Sequence, residues 1–125
     1  MIKNIIFDMG GVIVDFVPTH FIEKHLPAEN ADTKQLLFTE MFTGRAWSEF
    51  DRGTASLEQT VEFVCSRIPV SLHDGVRALV RHVPENMVPK AGMFELVSAI
   101  KERGYGIYLL SNTPKTFYDF YERIP

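Results

Sequence analysis

Apolar residues change their period along this chain. Lys3 to Asp8 is a short, nearly continuous apolar run through Ile5-Ile6-Phe7, and Tyr105 to Leu110 repeats the pattern near the other end. Runs of this kind are expected of parallel strands covered on both faces. Val12 to Phe16 carries on apolar, broken by Asp15, and Pro18 marks the departure from the sheet. From about Thr19 to His82 the spacing becomes helical. Leu37 and Met41 share one face, Leu57, Val61, Val64, Cys65 and Ile68 form a longer stripe, and Leu72, Val76, Leu79, Val80 and Val83 form another.

Boundary residues sharpen these elements. Ser56 followed by Gln59 predicts a capping box, Pro69 a helix stop, and Ser71 a cap for the next helix. Pro84 and Pro89 bracket a loop. A helix follows from Gly92 to Arg103, with Met93, Leu96, Val97 and Ile100 on one face and Gly104 as its C-terminal cap. Thr113 is placed to cap a helix with Pro114 at its first position, and Phe117, Phe120, Tyr121 and Ile124 then recur at helical spacing. The pattern predicts an α/β core from residues 1–17 and 84–125, interrupted by a helical subdomain over residues 18–83.

Composition narrows the function without naming it. The 125 residues are 46% hydrophobic and 23% charged, an ordinary globular mixture. A net charge of -3 and the lack of any Lys/Arg-rich run argue against nucleic acid as a partner. The single cysteine, Cys65, lies on a helical stripe and reads as a small buried apolar residue. No apolar run approaches the roughly 18 residues needed to cross a bilayer, so no membrane partner is expected. The amino end does not read as a signal peptide, which makes the cytoplasm the default location.

Two places carry candidate chemistry. The first strand drives into Asp8 and then into Gly10-Gly11, which puts a carboxylate at a strand end beside backbone that can approach a ligand closely. An ordinary aspartate, with a pKa of about 3.9, is ionised at neutral pH and can act as nucleophile or metal ligand. The later strand ends in Ser111-Asn112-Thr113-Pro114, small polar groups at a helix start where an anion is readily held. A third segment, Gly44 to Gly53, mixes aromatic and charged residues. Trp47 and Phe50 in it read either as bundle core or as a ligand-facing surface, and Arg45 and Arg52 either as solvated charges or as contacts to a polar substrate group.

Taken in order, Ile5-Ile6-Phe7-Asp8-Met9-Gly10-Gly11-Val12, a helical insert and Leu109-Leu110-Ser111-Asn112 resemble the haloacid dehalogenase superfamily. Its members carry an aspartate nucleophile after the first strand and a Ser or Thr after the second. The resemblance implies a Rossmann-like parallel sheet core with an inserted α-helical cap. It also implies a phosphatase in which Asp8 attacks phosphorus and water hydrolyses the aspartyl phosphate. Mg²⁺ would be bound by the Asp8 carboxylate and the Gly10 carbonyl, and the phosphate oxygens by the backbone near Met9 and Gly10 with Ser111 and Asn112. The cap, with Arg45, Trp47 and Arg52, implies a small phosphorylated metabolite as substrate. A metal-independent carbon-halogen hydrolase and a non-catalytic binding module are the alternatives.

The chain departs from the family pattern at two points. Gly10 stands where the commonest members have a second aspartate acting as acid and base, although a subgroup resembling bacterial sugar-phosphate phosphatases also has glycine there. Asp15 is a candidate substitute acid, or else a loop or capping residue. The family's later lysine and acidic metal-binding motif are not found before Pro125, and Lys115 comes too early to be that lysine. The expectation is therefore a core completed by a further carboxyl-terminal segment or by a partner chain, including a second copy.

Overall fold

The computed structural model describes residues 1–124, apart from the side chain of Phe120. The elements run β1 (Asn4–Phe7), β2 (Val14–Asp15), α1 (Pro18–His25), α2 (Ala31–Phe38), a π-helical turn (Thr39–Thr43), α3 (Arg45–Asp51) and α4 (Leu57–Cys65). They continue with a 3-10 turn (Val70–Leu72), α5 (His73–Arg81), a second 3-10 turn (Pro84–Asn86), β3 (Val88–Pro89), α6 (Met93–Glu102), β4 (Gly106–Leu109), α7 (Phe117–Phe120) and a last 3-10 turn (Tyr121–Arg123). The fold is mixed α/β, 55% helical, with a small parallel sheet of two strands. Two compact units form, one from residues 1–16 and 87–111 and the other from residues 17–86 and 112–124.

In the first unit β1 pairs with β4 in parallel, from Asn4 opposite Gly106 to Phe7 opposite Leu109. The ladder extends at both ends, Gly106 N–H donating to the Lys3 carbonyl and Leu110 N–H to that of Phe7, each at 2.9 Å. A short antiparallel pair, β2 with β3, sets Val14 opposite Pro89 and Asp15 opposite Val88. Helix α6 packs on β4, and Gly104, with φ of 83°, ends the turn after it as expected.

The expected burial of these strands is not found. Ile6 is 61% exposed, Tyr108 56% and Leu110 70%, and α6 leaves Phe94 and Leu96 exposed too. Beside the short β2–β3 pair, the described residues of this unit give two parallel strands and one helix, too little to cover both faces of a sheet.

The helical unit holds the core. Ile22, Leu37, Val64, Val76 and Leu79 are its most fully buried side chains, drawn from α1, α2, α4 and α5. Each contributes roughly 1.5–3 kcal/mol by leaving water. Surface ion pairs such as Lys34–Glu23, at 2.7 Å, contribute at most about 1 kcal/mol each, so apolar packing dominates. Phe21, Phe42, Trp47 and Phe50 extend the core as a chain of ring contacts 5.1–6.3 Å apart. Cys65 is buried, and desolvation pushes its thiol pKa up, away from reactivity.

Helix ends follow the sequence in some places only. Ser56 and Gln59 form the full capping box: the Ser56 hydroxyl accepts from Gln59 N–H at 3.2 Å, and the Gln59 side chain accepts from Ser56 N–H at 2.8 Å. Asn30 caps α2, a role its sequence context had not suggested. Ser71 caps nothing, because a 3-10 turn runs through it into α5 and moves the cap position to Leu72. Thr113 is likewise not a cap, since α7 begins only at Phe117, with Thr116 before it. Helix α4 closes at Cys65, ahead of Pro69. Of the predicted last stripe, the Phe120 side chain lies outside the described residues, while Tyr121 is exposed.

Helices α1 and α5 touch at a glycine: a Cβ on Gly75 would overlap the Cδ2 of buried Leu26. Gly75→Ala is expected to destabilise by about 1–3 kcal/mol through overpacking, and Ser56→Ala by about 1 kcal/mol through loss of the cap. Urea midpoints with unchanged m-values would measure both. A Gly75→Ala protein as stable as wild type would refute the close approach.

Candidate active site

The site begins where β1 runs out. Asp8 is exposed, and its carboxylate accepts the Met9 N–H at 2.7 Å, which orients it across the first peptide of the loop. The loop then folds back on one acceptor. Met9 carbonyl receives the N–H groups of Val12 at 3.2 Å, Ile13 at 2.9 Å and Val14 at 3.1 Å, and Gly11 N–H donates to the Val14 carbonyl at 2.7 Å. Gly11 makes this turn with φ of 74°, a conformation other residues rarely adopt. The N–H and carbonyl of Gly10 take no part in this network among the described residues, so both are open to a ligand.

Ser111 reaches the same end of the sheet from the other strand. The bond from Leu110 N–H to the Phe7 carbonyl carries the parallel register one step past the paired residues, and Ser111 follows directly. Thus Asp8 and the Met9-Gly10 backbone, together with the half-buried Ser111, stand after the carboxyl ends of adjacent hydrogen-bonded strands, although about a hundred residues separate them in the chain. This is where open α/β sheets bind ligands. Asn112 is next in sequence and exposed, and belongs to the helical unit.

For a hard divalent ion the chain offers two oxygens here, the Asp8 carboxylate and the Gly10 carbonyl. That is a fair partial set for Mg²⁺, which keeps several waters and often takes one or two carboxylates plus substrate phosphate. Among the described residues no group of three or more His, Cys, Asp or Glu is placed to hold a metal. Asp15 is engaged elsewhere, 3.6 Å from Lys90 Nζ. Lys90 escaped the sequence reading, because its partner lies some 75 residues away and only the β2–β3 pairing joins them. Its own N–H also bonds the Ile13 carbonyl, at 2.8 Å, so it ties down the loop after Asp8.

The residues proposed as cap contacts all lie in the helical unit. Arg45 is ion-paired with Glu49, one turn on, at 2.6 Å. Trp47 is half-buried, its ring tilted against that of Phe42 and edge-on to that of Phe50. Arg52 is an exposed residue just past α3, its N–H bonded to the Ser48 carbonyl. Lys115 lays its aliphatic stem against Gly53, in the turn before α4.

No protein-family model matches the chain, and no curated protein matches it either. Among the described residues no helix is long and apolar enough to cross a membrane.

The loop separates its two glycines by their tolerance. A Cβ on Gly10 would meet only Phe16 Cβ, at an ordinary 3.9 Å, whereas Gly11 has a positive φ. Gly10→Asp is therefore expected to fold with stability near that of wild type, and Gly11→Ala to lose about 1–2 kcal/mol. Chemical denaturation of the two variants side by side checks this. The opposite order of stabilities would count against the loop described.

Proposed function

We propose that this chain carries the nucleophile of a Mg²⁺-dependent phosphomonoester hydrolase of the haloacid dehalogenase type. In this reading a Rossmann-like core holds the chemistry, the inserted helices act as a cap, and the substrate is a small phosphorylated metabolite. The observation that carries it is the adjacency of Asp8 and Ser111 at the ends of paired parallel strands. Nothing in the spacing of two motifs so far apart requires that adjacency.

The chemistry follows from the groups present. An Asp8 oxygen attacks phosphorus, the ester oxygen leaves with the bonding pair and takes its proton from solvent, and water then cleaves the resulting acyl phosphate to regenerate Asp8 and release inorganic phosphate. A carboxylate and a phosphate about 4 Å apart repel by roughly 4 kcal/mol per charge pair at an effective dielectric of 20. Mg²⁺, held by the Asp8 carboxylate and the Gly10 carbonyl, would supply the charge neutralisation that this approach needs. The Gly10 N–H and the Ser111 hydroxyl would hold phosphate oxygens, with the Met9 N–H keeping the attacking carboxylate in line. With glycine at position 10 and Asp15 beside Lys90, the leaving group departs without an adjacent acid. That favours substrates with good leaving groups.

Gly10 also supports a second reading, a module that binds phosphorylated ligands without turning them over. One set of assays separates the readings. Phosphate release from p-nitrophenyl phosphate is expected to need Mg²⁺, to stop with EDTA, and to fall at least about 10³-fold in Asp8→Asn. Activity surviving that substitution would remove Asp8 as nucleophile. Ligand binding without turnover would favour the binding module, and metal-independent halide release from a haloacid would favour the dehalogenase. In the phosphatase reading, Gly10→Asp should raise turnover of poor-leaving-group esters by about 10²-fold or more, by restoring an acid.

A further inference from the structure

Away from Asp8, three residues of the helical unit, Lys24, His25 and His82, close one corner around Asn86. Lys24, near the end of α1, donates to Asn86 Oδ1 at 2.8 Å. The Asn86 amide nitrogen donates to the His82 carbonyl at 2.8 Å and lies 3.2 Å from His25 Nε2. The His25 and His82 rings are nearly parallel, 8° apart in plane with centroids at 5.6 Å.

This network fixes a proton. A lysine can only donate and a backbone carbonyl can only accept, so the Asn86 amide has one workable orientation, oxygen to Lys24 and nitrogen to His82. Its nitrogen therefore offers a hydrogen to His25, and His25 Nε2 must present a lone pair. The imidazole is consequently neutral, with its proton on Nδ1. Protonating Nε2 would set two donors against each other and add a cation beside Lys24.

We propose that His25 is a proton-operated latch: neutral, it accepts Asn86 and closes the His82–Asn86 turn onto α1, and protonated, it expels Asn86 and opens that turn. The charges around it mostly resist protonation. Lys24 on its own helix and the His82 ring oppose it, and burial opposes it most, together holding its pKa below the usual 6.5, while Glu85 pulls the other way. Glu85 is itself engaged by Arg123, through Nε at 2.7 Å, and lies 3.9 Å from His82 Nδ1, so its pull on His25 is partly offset. Arg123 also donates to the Arg81 carbonyl at 2.7 Å, joining the last turn of the chain to the same corner. The latch sits where the chain leaves the helical unit, Asn86 being that segment's last residue.

The direction of the pH effect is set by linkage. Because the folded state holds His25 below the value of the unfolded chain, the unfolded state takes up the proton first. Stability is therefore intact above pH 6.5 and falls as pH drops below it, levelling off once folded His25 is itself protonated.

Long-range ¹H–¹⁵N NMR of the wild-type protein at pH 7.5 should show His25 as the Nδ1–H tautomer, with a titration midpoint below 6.5. Amide exchange over residues 82–86, corrected for the intrinsic pH effect, should rise about tenfold or more between pH 7.5 and 5.5. In His25→Gln, whose side chain can accept from Asn86 but cannot titrate, that rise should vanish. An Nε2–H tautomer, a midpoint at or above 6.5, or exchange that does not change with pH would each overturn the latch. The tautomer and titration need no variant, so a misfolded His25→Gln protein would leave the test intact.

Discussion

The parallel pairing of β1 with β4 is the constraint on which the candidate chemistry depends. Four residues of each strand and one extra bond, from Leu110 N–H to the Phe7 carbonyl, align two strand ends. A parallel ladder allows this because both strands run the same way, so their carboxyl ends meet at one edge. An antiparallel pairing of the same residues would have sent Asp8 and Ser111 to opposite edges. The loop after β1 then does local work, with the Met9 carbonyl gathering three donors and leaving the Gly10 peptide groups open.

The helical unit is stabilised differently. Its most fully buried side chains come from four helices and its ring contacts from α1, the π-helical turn and α3, so apolar area rather than charge holds it together. Charged groups mark edges: Glu40 lies against Arg67, and that contact holds its carboxyl below the usual range. The sheet unit has no comparable interior. Ile6, Tyr108 and Leu110 leave much of their surface exposed, so the candidate site lies on the thinner of the two units.

Much of this could be read from the chain. Ile5-Ile6-Phe7 and Gly106 to Leu109 are strands, the stripes through Val64 and Leu79 are core, and Ser56 with Gln59 is a capping box, because local period and local hydrogen bonding decide these features. Burial of the strands could not be read, since it depends on what else covers them. Ser71 and Thr113 look like caps, but a cap works only if the helix starts there, and 3-10 and irregular turns displaced both starts. The Lys90–Asp15 pair and the Asn86 corner arise from contacts distant in sequence, which no local spacing encodes. Of the candidate site, the residue types at Asp8 and Ser111 were legible, and their adjacency was a product of the fold.

The Lys24–Asn86 contact also bears on the order of assembly. Pairing Asn4 with Gly106 in an otherwise unfolded chain closes a loop of about a hundred residues, whose length term alone costs about 4 kcal/mol. If the helices fold first, that contact already brings the end of the helical insert to within about one helix length, roughly 12 Å, of its beginning at Pro18. The remaining unfolded chain between the strands is then about thirty residues, which lowers the length term by about 1 kcal/mol. Closing the helical unit first would therefore shorten the loop that the β1–β4 pairing has to close.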